Sequence, residues 1–262
     1  MINDKNFCFT VDDNIRFFKE ITEREYQSIF EHPYLAMYKR LNEKFDLKVQ
    51  LNLFYRCDGF DLSMMSDAYR DEWSENADWL KLSFHSELEN VRPYENSDYD
   101  EVKKHCDSVQ GEILRFAGKS SLAATTTVHY CVTTEQGLCA LKDSGVTGLF
   151  GLFGNDTSPR TSYGLSNEIA DKIRRGDVVS SDGIAFAGID IILNSFDEQT
   201  ILSQLDGLIG RKLIKVMIHE QYFYPDYFNY QPDFEQKLNS TFSILSANGY
   251  KSDFFENVIL QI

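Results

Sequence analysis

Five histidines are spread over the 262 residues, and three of them, His85, His129 and His219, stand where a β-rich apolar run ends. A further run of this kind ends in two adjacent carboxylates, Asp12 and Asp13. Carboxylates set side by side repel, so a bound cation or a shared proton is expected between them. Successive side chains of an extended segment point in different directions. One carboxylate can then bind a cation while the other faces a substrate. His85 is followed four residues later by Glu89, and on a helical turn the two would share a face. Together with Asp13 they make a set of oxygen and nitrogen donors. Such donors suit zinc, or cobalt, nickel or manganese, with positions left open for water. His129 is a candidate to replace a ligand or to stabilise an oxyanion on the substrate. The stretch from His219 to Phe228 is dense in aromatic residues, and rings at the rim of a site suit the faces of sugars. Tyr130, Glu220 and Tyr222 therefore join His129 as candidate substrate contacts. Each feature alone also reads as structure: a helix cap, a solvated acidic turn, a packed loop. Their shared position at strand ends is what makes them one candidate site.

The elements that must carry these residues alternate. Short β-branched or apolar runs cover residues 7–11, 48–54, 79–84, 123–128, 146–150, 189–193, 213–218 and 250–254. Helical patterns fall between them, at 22–41, 97–116, 134–143, 167–174, 197–209 and 233–247. Thr22 and Glu25 form a capping-box pattern at the start of the first helix. Asn248-Gly249 is a left-handed cap at the end of the last. Residues 178–186 form a hairpin turning at Asp182-Gly183, and 151–175 read as a long polar loop carrying a short helix. Strand-then-helix order implies parallel strands joined by right-handed crossovers. Seven or eight such units suit a closed α/β barrel, with an open doubly wound sheet as the alternative. No linker or repeat divides the chain, so residues 1–262 read as one domain.

Composition narrows the partners. The net charge is −15, from 26 basic and 41 acidic residues, and no basic run is present. That argues against nucleic acid and against anionic membrane surfaces. It is compatible with a cation and with a small-molecule or carbohydrate substrate; a homo-oligomer stays open. No apolar run approaches the ~20 residues that span a bilayer. The start of the chain lacks the basic and apolar regions of a signal peptide, so the chain reads as cytoplasmic. The five cysteines are scattered without a C-x-x-C pair and read as packed thiols.

In order and spacing, these motifs resemble the polysaccharide deacetylases, the NodB-homology or carbohydrate esterase 4 group. Thr10-Val11-Asp12-Asp13-Asn14 is similar to the early Thr-Phe-Asp-Asp-Gly motif of that family. His85-Ser86-Glu87-Leu88-Glu89 matches part of its His-Ser/Thr-x-x-His motif, and Met217-Ile218-His219 its late Leu-x-His. The resemblance implies a (β/α)7-type barrel and metal-dependent hydrolysis of an N-acetyl group or a related amide or ester. It implies Asp12 as general base, His219 as general acid, and Asp13 and His85 as metal ligands. Three departures stand out. Glu89 occupies the place of the second histidine, Asn14 that of the glycine, and Val128-His129-Tyr130 stands roughly where the family has Arg-x-Pro-Tyr. They keep a second reading in view: a degenerate barrel that binds carbohydrate or a protein partner without turnover. A metal-independent glycosidase using paired carboxylates is a third.

Overall fold

The computed structural model describes residues 5–89, 94–154 and 161–260. Its centre is a ring of parallel strands. Strand β1 (Lys5–Asn14) lies between β2 (Val49–Phe54) and β8 (Leu213–His219), and β2 pairs in turn with β3 (Leu80–Ser86). A second parallel set runs from β4 (Thr125–Thr126) through β5 (Gly148–Gly151) to β6 (Ile184–Gly188). Two links join the sets. On one side β6 leads directly into β7 (Ile191–Ile192), which pairs with β8. On the other, β3 and β4 meet at a seam with little ladder pairing: a single parallel bridge from Leu82 to Leu122. Side chains stitch this seam instead. Ser83 Oγ donates to the Thr125 carbonyl, Thr126 Oγ1 to the Phe84 carbonyl and His85 Nδ1 to the Thr127 carbonyl. With β6 and β7 taken together as one stave of the wall, the (β/α)7-type barrel expected from the family resemblance is present.

Helices cover the outside of the ring. The main ones are α1 (Arg16–Arg24), α2 (Pro33–Phe45), α3 (Tyr99–Phe116), α4 (Glu135–Asp143), α5 (Asn167–Arg174), α6 (Glu198–Leu208) and α7 (Phe234–Ala247). The short α8 (Phe255–Ile259) follows a last strand, β9 (Tyr250–Ser252), which pairs with the start of β1. Helices α3 to α6 begin where the sequence places them because each has a capping side chain. Asp98, Thr134, Ser166 and Asp197 accept from the backbone N–H three residues on. The Asp182-Gly183 hairpin also forms, both residues having positive φ, as a two-residue turn requires.

The single helix expected over 22–41 is two. Helix α1 closes at Glu25 in the left-handed region, and Pro33 starts α2 as its first residue. Thr22 is no cap: its hydroxyl donates to Phe18 O within α1. The loop expected over 151–175 does contain α5, while its residues 155–160 lie outside the described ones. Among the described residues no helix is long and apolar enough to cross a membrane.

The core under β1 is aromatic. Phe242 of α7 stacks on Phe7 with centroids 5.6 Å apart and meets Phe9 edge-on at 5.0 Å. It is fully buried. Phe242→Ala is expected to lower unfolding free energy by about 3–5 kcal/mol, measured by urea denaturation. A loss below about 1 kcal/mol would mean that α7 does not anchor β1.

Candidate metal and catalytic site

The sequence puts two carboxylates at the end of β1, and a regular strand would send them to opposite faces. A break in the strand prevents this. The β1–β2 register shifts between Val11 and Asn14, and Asp13 adopts φ 64°. Aspartate tolerates this left-handed conformation better than most residues, and a bulge of this kind re-aims side chains. Asn14 holds it in place. Its Nδ2 donates to Val11 O (2.6 Å) and Asn52 O (3.2 Å), and its Oδ1 accepts from Tyr34 Oη (2.8 Å). As a result both Asp12 and Asp13 line one pocket of about 320 Å³ at the C-terminal mouth of the ring.

Three donors converge there. Asp13 Oδ1 is 3.0 Å from His85 Nε2 and 3.4 Å from His129 Nδ1, and the two nitrogens are 3.1 Å apart. His85 Nδ1 faces the Thr127 carbonyl, which can only accept, so Nδ1 carries the proton. In neutral His85 the Nε2 lone pair then points at a carboxylate oxygen. Two acceptors this close need a proton or a cation between them. For donors about 2.1 Å from an ion, separations run from about 3.0 Å at a right angle to about 3.4 Å at the tetrahedral angle. The triangle fits a divalent ion, and its oxygen and two nitrogens suit zinc or a neighbouring first-row metal.

The surroundings reinforce this. Burial alone would raise the Asp13 carboxyl, but the imidazoles of His129 and His85 hold it well below the usual carboxylate range. His85 is raised despite burial, because Asp12 and Asp13 lie close and Thr127 O accepts its proton. His129 is lowered, chiefly by burial. Gln221 Nε2 donates to Asp13 Oδ2 at 2.7 Å and fixes the carboxylate plane. His129 sits on a turn whose next two residues, Tyr130 and Cys131, have φ 59° and 54°. Non-glycine residues held there cost on the order of 1–3 kcal/mol each, so the surrounding packing must impose this turn.

Asp12 and His219 flank the triangle. They are direct partners in the β1–β8 register. Asp12 Oδ1 accepts from Asn52 Nδ2 at 2.6 Å. His219 Nδ1 lies 2.9 Å from Asn194 Oδ1. With Nδ1 donating to that oxygen, Nε2 is left for the pocket. Both side chains line it.

In its course and cover this barrel is similar to solved structures. It matches a Mycobacterium smegmatis protein assigned to the polysaccharide deacetylases over 100% of this chain and 92% of that one, with TM-score 0.62 and 9% identity. The fold is that of the polysaccharide deacetylases. A family 4 acetyl xylan esterase from Clostridium thermocellum, in complex with cobalt, matches over 98% of this chain and 91% of that one, with TM-score 0.54 and 13% identity. A 4-alpha-glucanotransferase from Thermococcus litoralis matches over 99% of this chain and 40% of that one, with TM-score 0.63 and 14% identity. No protein-family profile and no curated protein matches the sequence. One deacetylase-type barrel thus serves more than one chemistry, and function must be argued from the site.

Within the deacetylase fold, the residues singled out in the sequence take different places. Asp12, Asp13, His85, His129 and His219 share the pocket, as do Tyr130, Tyr222 and Glu89. Glu89 does not reach the triangle by the expected route. Strand β3 runs on to Ser86, and the residues after it form bends and a turn, so no helical turn aligns His85 with Glu89. The Glu89 carboxyl is raised by burial and by nearby Asp13, and lowered by His219. Glu220 has a different task from the substrate contact expected of it. Its oxygens accept from the backbone N–H of Ile15 (2.7 Å), Arg16 (3.0 Å) and Phe17 (2.7 Å) and from Tyr224 Oη (2.9 Å). Helix α1 has no cap of its own, and Glu220 supplies one from the end of β8. Asn52, Asn194 and Gln221 were not singled out in the sequence. Their signal is faint: amides placed within or just beyond apolar strands.

Burial outweighs the four donors and pushes Glu220 up to about 7 from its ordinary 4.5. A carboxyl raised on folding stabilises fully below its unfolded value, and that contribution is lost as pH rises through the folded value. The stability difference between the unaltered chain and Glu220→Gln should therefore shrink by on the order of 2 kcal/mol between pH 5 and pH 7. Urea unfolding at the two pH values measures it; a pH-independent difference would place the Glu220 titration elsewhere.

Proposed function

We propose that this chain is a metal-dependent hydrolase that removes an acetyl group from a carbohydrate amide or ester, with zinc as the natural ion. The observation that carries the reading is the Asp13–His85–His129 triangle, whose spacing suits one divalent ion. Those three residues would hold the metal. When bound, it would polarise the acyl carbonyl and acidify a water. Asp12 would take a proton from an attacking water, and His219 Nε2 would give one to the departing amine or alcohol. Asn52 and Asn194 orient these two groups. Tyr222 and Tyr130 offer ring faces beside the pocket. A second hollow of about 740 Å³ adjoins it and shares Asp13, Glu89, Gln221 and Tyr227, so the cleft can seat more than one sugar ring. The cobalt-bound acetyl xylan esterase of the same fold supports the metal and the acyl chemistry.

Purified protein should carry about one divalent ion per chain, measured by elemental analysis, and should release acetate from acetylated xylan or a chitooligosaccharide. Asp13→Ala and His85→Ala should lose the ion. His129→Ala should weaken metal binding by at least about 10–100-fold, the effect of losing even an outer-shell partner. Glu89→Gln should retain it. A chain that holds no divalent ion at any loading would end the hydrolase reading and leave a binding barrel. Metal loss in Glu89→Gln with retention in His129→Ala would exchange their roles.

A further inference from the structure

Before its terminal His219, strand β8 is apolar except for Lys215, whose side chain is fully buried inside the ring. An unneeded buried ammonium is expensive, yet this one is carefully seated. Its Nζ lies 2.6 Å from Thr10 Oγ1 and 4.2 Å from the centroid of the Phe150 ring. The Thr10 hydroxyl is in turn 3.3 Å from Asp12 Oδ1.

The direction of this chain follows from its chemistry. An ammonium has protons and no lone pair. Thr10 Oγ1 must accept from Lys215, so its one O–H is left to donate to Asp12 Oδ1. A second chain reaches the same oxygen from β2. Thr125 Oγ1 donates to Gln50 Oε1 (3.1 Å). Gln50 Nε2 donates to Asn52 Oδ1 (2.8 Å), and Asn52 Nδ2 to Asp12 Oδ1 (2.6 Å). Both chains end on Oδ1. Among the described residues Asp12 Oδ2 has no hydrogen bond, and Asp12 lines the pocket. We propose that Lys215 is a positioning residue: through Thr10 it locks the Asp12 carboxylate with Oδ1 tied to the barrel interior and Oδ2 presented to the pocket. Burial lowers Lys215 to about 7, while the Asp12 charge pulls the other way.

The catalytic consequence rests on the hydrolase reading above; the orientation of Asp12 does not. The test uses the full chain with one divalent ion bound and acetylated xylan as the probe. Lys215→Met and Thr10→Val should each lower kcat about 10–100-fold, with KM within twofold and metal content unchanged. The double variant should lose no more than either single one, because both break the same chain. Thr10→Ser should keep kcat near that of the unaltered chain. Unchanged kcat in either single variant, or a fall matched by loss of metal, overturns the proposal. Should the unaltered chain prove inactive on the probe, the hydrolase reading fails by itself. The relay is then read from the side-chain amide NMR signal of Asn52, which reports on Asp12 Oδ1. A shift in both Lys215→Met and Thr10→Val supports the relay; an unmoved signal in both sinks it.

Discussion

The site depends on one irregularity in β1. Were the strand regular to Asn14, Asp12 and Asp13 would face opposite sides of the sheet, and no single pocket could hold both. The left-handed turn of Asp13 brings them together. Asn14 sustains it by bonding back to the strand and across to β2 and α2. Helix α1 then leaves this bulge at an angle fixed by Glu220, which reaches from β8 to its first three N–H groups. The residues that stabilise the corner thus outnumber those that work in it, and they come from strands far apart in the chain.

The electrostatics follow the same logic. The protein carries a net charge of −15, yet its mouth gathers three imidazoles around two carboxylates. That gives a cation anionic and neutral donors at close range, and four of these five groups are held by outer hydrogen bonds; among the described residues the outer nitrogen of His129 has none. Gln221 fixes Asp13, Thr127 the tautomer of His85, Asn194 that of His219 and Asn52 the plane of Asp12. Orientation of this sort limits reorganisation when charge develops.

Much of this was legible in the sequence, for identifiable reasons. Strand and helix order showed because apolar runs alternate with capped helices, and the caps at Asp98, Thr134, Ser166 and Asp197 are local signals. His85 and His219 were visible because a polar residue ending an apolar run is conspicuous. The break between α1 and α2 was hidden by helical periodicity running through Glu25, and the Thr22 capping pattern misled because tertiary packing had already made Thr22 helical. Glu89 was read on the assumption of a helical turn that the extension of β3 replaces. His129 was visible as a candidate ligand at the end of another apolar run, but its choice over Glu89 was not, since its approach depends on two successive left-handed residues that no residue type announces. The interior relay left a clearer trace: Gln50 with Asn52 and Thr10 with Asp12 are polar at alternate positions, the period of strand residues facing one side.

The stitched seam between β3 and β4 has a consequence for the integrity of the ring. Elsewhere neighbouring strands are tied by successive main-chain bonds, but here the wall is fastened by three side chains and one bridge. His85 belongs to one lip of this slit, and His129 follows the other. An ion clasped between them would act as a rivet across the weakest joint of the cylinder, so occupancy and mechanical closure would rise together.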